Sequence, residues 1–217
     1  MHFSSVYVQT VDLYQYHRYD ANTPLEETLE ALTKGVHQGK IRYIGFSEWS
    51  PAQIQAALNI QNVERFVSSQ PQYSMLWQKP EAEIFPLCAA TGIGQIVWSP
   101  LAQGILTGKY QPSRLPLENS RAASEKMNVF FNNELRSDYV LKAVQQLKPI
   151  SEGIGLTIAQ LALAWVLRDR RVSSAIIGAS CPKQIVDNAA ASGVQLESNV
   201  RAAIDRVLAP VIQAMPV

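Results

Sequence analysis

Five short apolar runs in this 217-residue chain end on small or polar groups: His17, Ser47, Gln70, Trp98-Ser99-Pro100-Leu101 and Gly178-Ala179-Ser180. Such groups can hold a ligand by hydrogen bonds, and a histidine among them can polarise an oxygen. Taken singly, His17 reads as a satisfied structural side chain; four further polar run ends strengthen its functional reading. The strongest local signal is residues 177–188, where a run reaches Gly178, turns, and enters a helix with Pro182 at its first position. The N–H groups of that helix start favour an anion in front of them. Lys183 adds positive charge, and Gln184 and Asn188, four apart, share one face. An ordinary capped helix with solvated polar residues explains the same pattern. In residues 98–104, Pro100 stops the run and Gly104 frees the backbone, so N–H groups and Ser99 can be presented to a ligand. A turn anchored by a core tryptophan is the plainer alternative. Tyr73, three residues past Gln70, offers a flat surface to a heteroaromatic ring or a side chain to the core. Cys88 lies on an apolar helix face as a buried thiol, Cys181 has no paired base, and His37 suits a helix C-terminus. No spacing suggests a metal, and GxGxxG and GxxxxGK[ST] are absent.

These groups need elements to place them. Strands are expected over residues 11–17, 42–47, 65–70, 95–99 and 174–178, with helical periodicity between them. Thr23-Pro24-Leu25-Glu26 reads as a capping box with Pro24 at the first helical position, followed by Leu25, Leu29, Leu32 and Val36 on one face and Gly39 at the end. Ser50-Pro51 opens a helix through Ile54, Ala57 and Leu58. Further helices are expected over 79–90, 135–147, 158–167, 182–191 and 199–208, with an irregular stretch at 110–133. Alternating strand and helix implies parallel strands with right-handed crossovers, as a doubly wound sheet or a (β/α)8 barrel. Both bind ligands at the carboxyl ends of their strands. Five strands are readable where the barrel needs eight, and residues 1–217 read as one domain.

Composition removes several partner classes. Lys+Arg of 19 against Asp+Glu of 18 leaves no basic field for nucleic acid or an anionic membrane. Two cysteines are too few for a disulfide framework, so a reducing cytoplasm is expected. The start has no secretory pattern, and the apolar stretch 156–167, interrupted by Gln160, is too short to span a bilayer.

The stretches VDLYQYH, GKIRYIGFSEWS, SSQPQYSM, IVWSPLAQGILTGKY, NSRAAS and IIGASCPKQIVDNAA, in this order, resemble the aldo-keto reductases, particularly the branch of potassium-channel β-subunits and similar bacterial reductases. The resemblance spans residues 11 to about 191. It implies an α/β fold of (β/α)8 barrel type, incomplete and lacking roughly the first three βα units, and metal-free reduction of small aldehydes or ketones with NADP(H). It implies that His17 is the catalytic histidine at the carbonyl, that Ser47 and Gln70 hold the nicotinamide carboxamide, and that Tyr73 stacks on the ring. Trp98, Ser99, Pro100, Leu101 and Gly104 would run along the pyrophosphate, with Lys109 and Arg121 over the cofactor. Gly178, Ser180, Lys183, Gln184, Asp187 and Asn188 would form the adenosine and 2′-phosphate pocket. The channel-subunit likeness also allows a non-catalytic NADP(H)-binding or interaction module.

Two features depart from the family pattern. Glu48 stands where relatives often carry Asn or Arg, and an acid there suits no phosphate. The family's Asp, proton-donating Tyr and Lys precede the strand of the histidine, and ten residues before Val11 cannot match them, so activity is expected to be weak or absent. Tyr19 is the nearby phenol that could substitute; Tyr16 alternates to the face opposite His17. A sheet short of three strands exposes two edges, which leads to an expectation of homo-oligomers.

Overall fold

The short runs β1 (Val11–Tyr16), β2 (Ile41–Phe46), β3 (Phe66–Ser69) and β4 (Gly94–Val97) pair parallel, each with the next. The computed structural model describes residues 9–115, 120–123 and 134–214. Strand order follows the chain, β1-β2-β3-β4-β5, with β5 at Val172–Ala175. Contacts divide the chain into two units, Met1–Pro71 with Pro80–Ile96 and Gln72–Lys79 with Val97–Val217.

In the first unit, α1 (Leu25–His37), α2 (Pro51–Asn59) and α3 (Ile84–Ala90) connect the strands. Leu29 and Leu32 of α1 are buried with Ile44, Phe46, Ile54 and Phe66, and Leu25 and Val36 pack against them, as the helical period requires. Trp49 sits among Tyr16, Tyr19, Phe46 and Phe66, ring centroids 5.1–5.9 Å away. Burial of Trp49, Phe46 and Phe66 contributes about 1.5–3 kcal/mol for each ring, and the half-buried Tyr16 and Tyr19 contribute less. On β2, Gly45 leaves room for the Gln15 side chain to cross from β1 and accept the Ser68 hydroxyl at 3.0 Å. A Cβ at Gly45 would stand 1.7 Å from the Gln15 Oε1.

In the second unit, α4 (Asp138–Gly153), α5 (Ile158–Leu167), α6 (Pro182–Ala189) and α7 (Ser198–Ala214) accompany β5. Apolar residues of α4, α5 and α7, among them Val144, Leu147, Leu161, Trp165, Ile204 and Leu208, are buried. Beyond β5 the Ile176 N–H donates to the Val97 carbonyl at 2.8 Å. No single helix among the described residues is long and apolar enough to cross a membrane.

Several local expectations change. Pro24 is the N-cap of α1 and no side chain caps it. The Thr23 hydroxyl instead donates to Asp20 at 2.7 Å, because an Asx turn at Asp20 takes it first. The Ser50–Gln53 capping box of α2 is formed, with both reciprocal bonds. The helix expected over 79–90 is split into a 3₁₀ turn, Lys79–Glu81, and α3. Pro86 explains the break, since its ring would clash with the carbonyl of residue 82 in a continuous helix. The last strand starts two residues early, because the turn at Asp169, with Val172 N–H on its carbonyl at 2.9 Å, ends just before it. Of the stretch 110–133, Arg121–Ala123 forms a 3₁₀ turn, while residues 116–119 and 124–133 and the Arg121 side chain lie outside the described part. Cys88 is fully buried, and burial raises its thiol pKa.

Candidate functional site

In the first unit, three strand ends are tied side by side. The Ser47 N–H donates to the Tyr16 carbonyl at 3.0 Å, the Gln70 N–H to the Phe46 carbonyl at 2.8 Å, and the Ser47 hydroxyl to the Gln70 carbonyl at 2.8 Å. Ser47 is buried and has spent its proton on that carbonyl, so its oxygen remains an acceptor suited to an amide N–H. Gln70 is half-buried, and His17 is exposed one residue beyond β1. Tyr19 is half-buried, its ring edge-on to Trp49 at 5.1 Å between centroids and packed against the core cluster.

Glu48 takes a left-handed backbone, φ 60°, and its carboxylate lies 3.5 Å from Arg18. Left-handed backbone costs a non-glycine residue about 1–2 kcal/mol, less for asparagine. The partly exposed ion pair returns about 0–1 kcal/mol. Glu48→Asn is expected to raise stability by about 0.5 kcal/mol, read from the urea midpoint; a loss above about 1 kcal/mol would show that the Arg18 contact outweighs the backbone.

In the second unit, Trp98 is half-buried, and its carbonyl accepts the Tyr73 N–H at 3.2 Å. Beyond it the chain turns sharply: Ser99, Ala102, Gln103 and Gly104 have φ of 58°, 45°, 59° and 95°. Leu101, at φ −98° and ψ 15°, is followed by left-handed Ala102, and the turn closes on itself: the Ala102 N–H donates to the Ser99 carbonyl and the Gly104 N–H to the Leu101 carbonyl, both at 2.9 Å. The Gln103 amide closes the loop by donating to the Ser99 hydroxyl at 2.7 Å. Lys109 folds back over it: its Cε and Nζ lie 3.5 Å from where a Cβ on Gly104 would stand. A cation thus covers a backbone cradle. Farther along, the Gln184 side-chain amide oxygen accepts the Ser180 N–H at 2.8 Å and the Ser180 hydroxyl at 3.3 Å, in front of α6. Lys183 reaches Asp187 at 2.7 Å, which raises the lysine pKa, and Gly178, Ser180 and Lys183 are exposed while Asp187 and Asn188 are half-buried.

A family model described as the aldo/keto reductase family matches residues 4–209. The chain belongs to that family. It is 42% identical over 182 residues to a probable voltage-gated potassium channel subunit beta of Oryza sativa subsp. japonica, and 43% identical over 182 residues to one of Arabidopsis thaliana. A putative voltage-gated potassium channel subunit beta of Schizosaccharomyces pombe is 41% identical over 183 residues. Each alignment covers 82% of this chain and 53–55% of the relative, so the chain spans about half the length of these relatives. A solved glycerol dehydrogenase from Gluconobacter oxydans superposes with TM-score 0.80 at 26% identity, over 97% of this chain and 62% of that one. A thermostable aldo-keto reductase, Tm1743, solved with the inhibitor epalrestat, gives 0.69 at 28% identity, over 92% and 60%.

One expectation for this aldo/keto reductase is overturned: Tyr73 cannot offer a ring face to a ligand, because it is fully buried. Its ring lies against Trp165, 5.5 Å between centroids, and its hydroxyl accepts from Arg168 at 2.8 Å. Trp98 is the aromatic group at that strand end with exposed surface. Gln145 and Asp138 of α4, which hold the segment carrying Lys109, escaped the sequence reading. Their signal was a polar side chain at Gln145, among the buried positions Leu141, Val144 and Leu147.

Proposed function

We propose that this aldo/keto reductase chain binds NADP(H) and, in the whole protein, serves the reduction of small aldehydes or ketones. The observation that carries the reading is the cradle at Ser99–Gly104 with Lys109 folded over it, which fits a pyrophosphate: closely approachable backbone under a cation. Trp98, Pro100 and Leu101 border the cradle in sequence, and Arg121, whose side chain lies outside the described part, is assigned to the cofactor. Ser47 accepts from the carboxamide N–H through the lone pairs left after its bond to the Gln70 carbonyl, and the Gln70 side chain completes the grip. Gly178, Ser180, Gln184 and Asn188 take the adenosine. Lys183 takes the 2′-phosphate by giving up its exposed pair with Asp187, at a cost of about 0–1 kcal/mol.

A reduced nicotinamide, when bound, supplies the hydride for a carbonyl carbon. His17 orients the carbonyl oxygen and stabilises the charge that develops there by a donated hydrogen bond. The alkoxide oxygen then takes up a proton, from water at the exposed His17 or from the half-buried Tyr19 phenol. The exposed Val11 and Tyr14 of β1 are the surface assigned to self-association. A second reading, a non-catalytic NADP(H)-binding or interaction module, is favoured by the 41–43% identity to proteins named as channel subunits.

NADPH titrated into the purified chain should quench tryptophan fluorescence saturably, and its oxidation by an aromatic aldehyde or a dicarbonyl should fall at least about tenfold in His17→Ala. Binding without turnover would favour the module over the reductase, and no saturable binding would sink both.

A further inference from the structure

Lys109 is exposed on a loop, where a long side chain ordinarily samples many conformations, yet the backbone on both sides of it is fastened. The Gln145 amide nitrogen donates to the Gly108 carbonyl at 2.9 Å and to the Tyr110 carbonyl at 3.1 Å, the two carbonyls that flank Lys109. Farther along the same segment, Asp138 accepts the Ser113 N–H at 2.7 Å and the Ser113 hydroxyl at 2.5 Å. These bonds hold the Asp138 carboxyl below the usual carboxylate range, so the tether is ionised and formed at neutral pH. Asp138 and Gln145 are seven residues apart on α4, hence on one stripe of the helix and about 10 Å apart along its axis. That stripe acts as a rail along which residues 108–113 are laid. Tyr110 is buried, and its hydroxyl accepts the Ala122 N–H at 3.3 Å, so the constraint reaches the turn that begins with Arg121.

We propose that Gln145 and Asp138 are positioning residues that hold Lys109 over the Ser99–Gly104 cradle for the phosphates of a dinucleotide, with Tyr110 extending the same hold to the Arg121 turn. The inference rests on the NADP(H) reading above and adds to it the residues that pre-order its cation. Neither side chain touches the ligand. Each removes conformations in which Lys109 points elsewhere, and so lowers the ordering cost of binding.

A double-mutant cycle tests this, with NADPH titrated into the unchanged chain, Lys109→Met, Gln145→Leu and the double variant, followed by tryptophan fluorescence. Gln145→Leu should weaken NADPH about tenfold when Lys109 is present and have no further effect in the Lys109→Met background. An equal loss in both backgrounds would mean that Gln145 only supports the fold, and it overturns the inference while leaving the cofactor reading standing. No saturable binding by the unchanged chain overturns both together. If Gln145→Leu fails to fold, Asp138→Asn takes its place in the cycle. Amide exchange gives a cofactor-free readout: residues 108–113 should exchange about tenfold faster in the variant with an unchanged global midpoint, and unchanged exchange there overturns the inference.

Discussion

Trp165→Ala is expected to destabilise the chain by about 3–5 kcal/mol, the range for truncating a fully buried aromatic side chain. Trp165 is 1% exposed on α5, with Tyr73 against its ring and the Arg168 guanidinium 3.5 Å from its ring centroid. Truncation opens a cavity between two partners that cannot simply collapse, since Arg168 is also bonded to the Tyr73 hydroxyl at 2.8 Å and to the Trp165 carbonyl at 2.9 Å. Its charged group would then lie over a void, losing the stacking that offsets its partial burial. For a chain of this size each kcal/mol moves the midpoint by about 2–4 °C, so a fall of roughly 10 °C should be seen. Tyr73→Phe, which keeps the ring and removes one acceptor, should cost only about 1 kcal/mol. Equal losses in the two variants would mean that the hydroxyl bond, not the stacked rings, anchors this region. The pair of variants also separates the structural role of Tyr73 from a cofactor role, because Tyr73→Phe should leave the NADPH affinity unchanged.

What could be read from the chain depended on how far apart the deciding groups lie. The Ser50–Gln53 box and the face of Leu25, Leu29, Leu32 and Val36 are set by neighbours within one or two helical turns, and both were legible. The failed box at Thr23 was also local, but the hydroxyl that would have accepted a helix N–H is turned to donate to Asp20. Tyr73 was unreadable for a different reason. Its burial depends on Trp165 and on Arg168, 95 residues away, and no spacing near Tyr73 encodes them. The cradle was half legible: Gly104 announces a left-handed backbone, while Ala102 and Gln103 adopt one without any residue preference for it. Such strain persists only where surrounding contacts enforce it, and here Gln103 is 8% exposed and bonded to Ser99. The family likeness pointed to these residues; only the packing shows which of them are buried in the core.

Lys109→Glu should weaken NADPH by at least about tenfold to a hundredfold, and the effect should be electrostatic rather than structural. A hydrogen bond from an ammonium to a phosphate is worth about 1.5–3 kcal/mol, or one to two decades of affinity at 1.4 kcal/mol per decade. Reversal adds repulsion of about 1–4 kcal/mol for charges about 4 Å apart at the protein surface. Lys109 is exposed and its ammonium lies over the Tyr110 ring, 5.0 Å from the centroid, an exposed contact whose loss should change stability by only about 0.5–1 kcal/mol. Two further readouts distinguish this from a damaged fold. The gap between variant and unchanged chain should shrink with salt, because the screening length falls from about 30 Å at 0.01 M to about 3 Å at 1 M. NADH and NADPH should be weakened alike, since both carry the pyrophosphate that the cradle is proposed to hold. Lys183→Glu, by contrast, should weaken NADPH and spare NADH, because only NADPH carries the 2′-phosphate. A Lys109→Glu loss confined to NADPH would place Lys109 at the 2′-phosphate and remove it from the cradle, whereas a loss independent of salt would trace to the backbone that Gln145 and Asp138 hold in place.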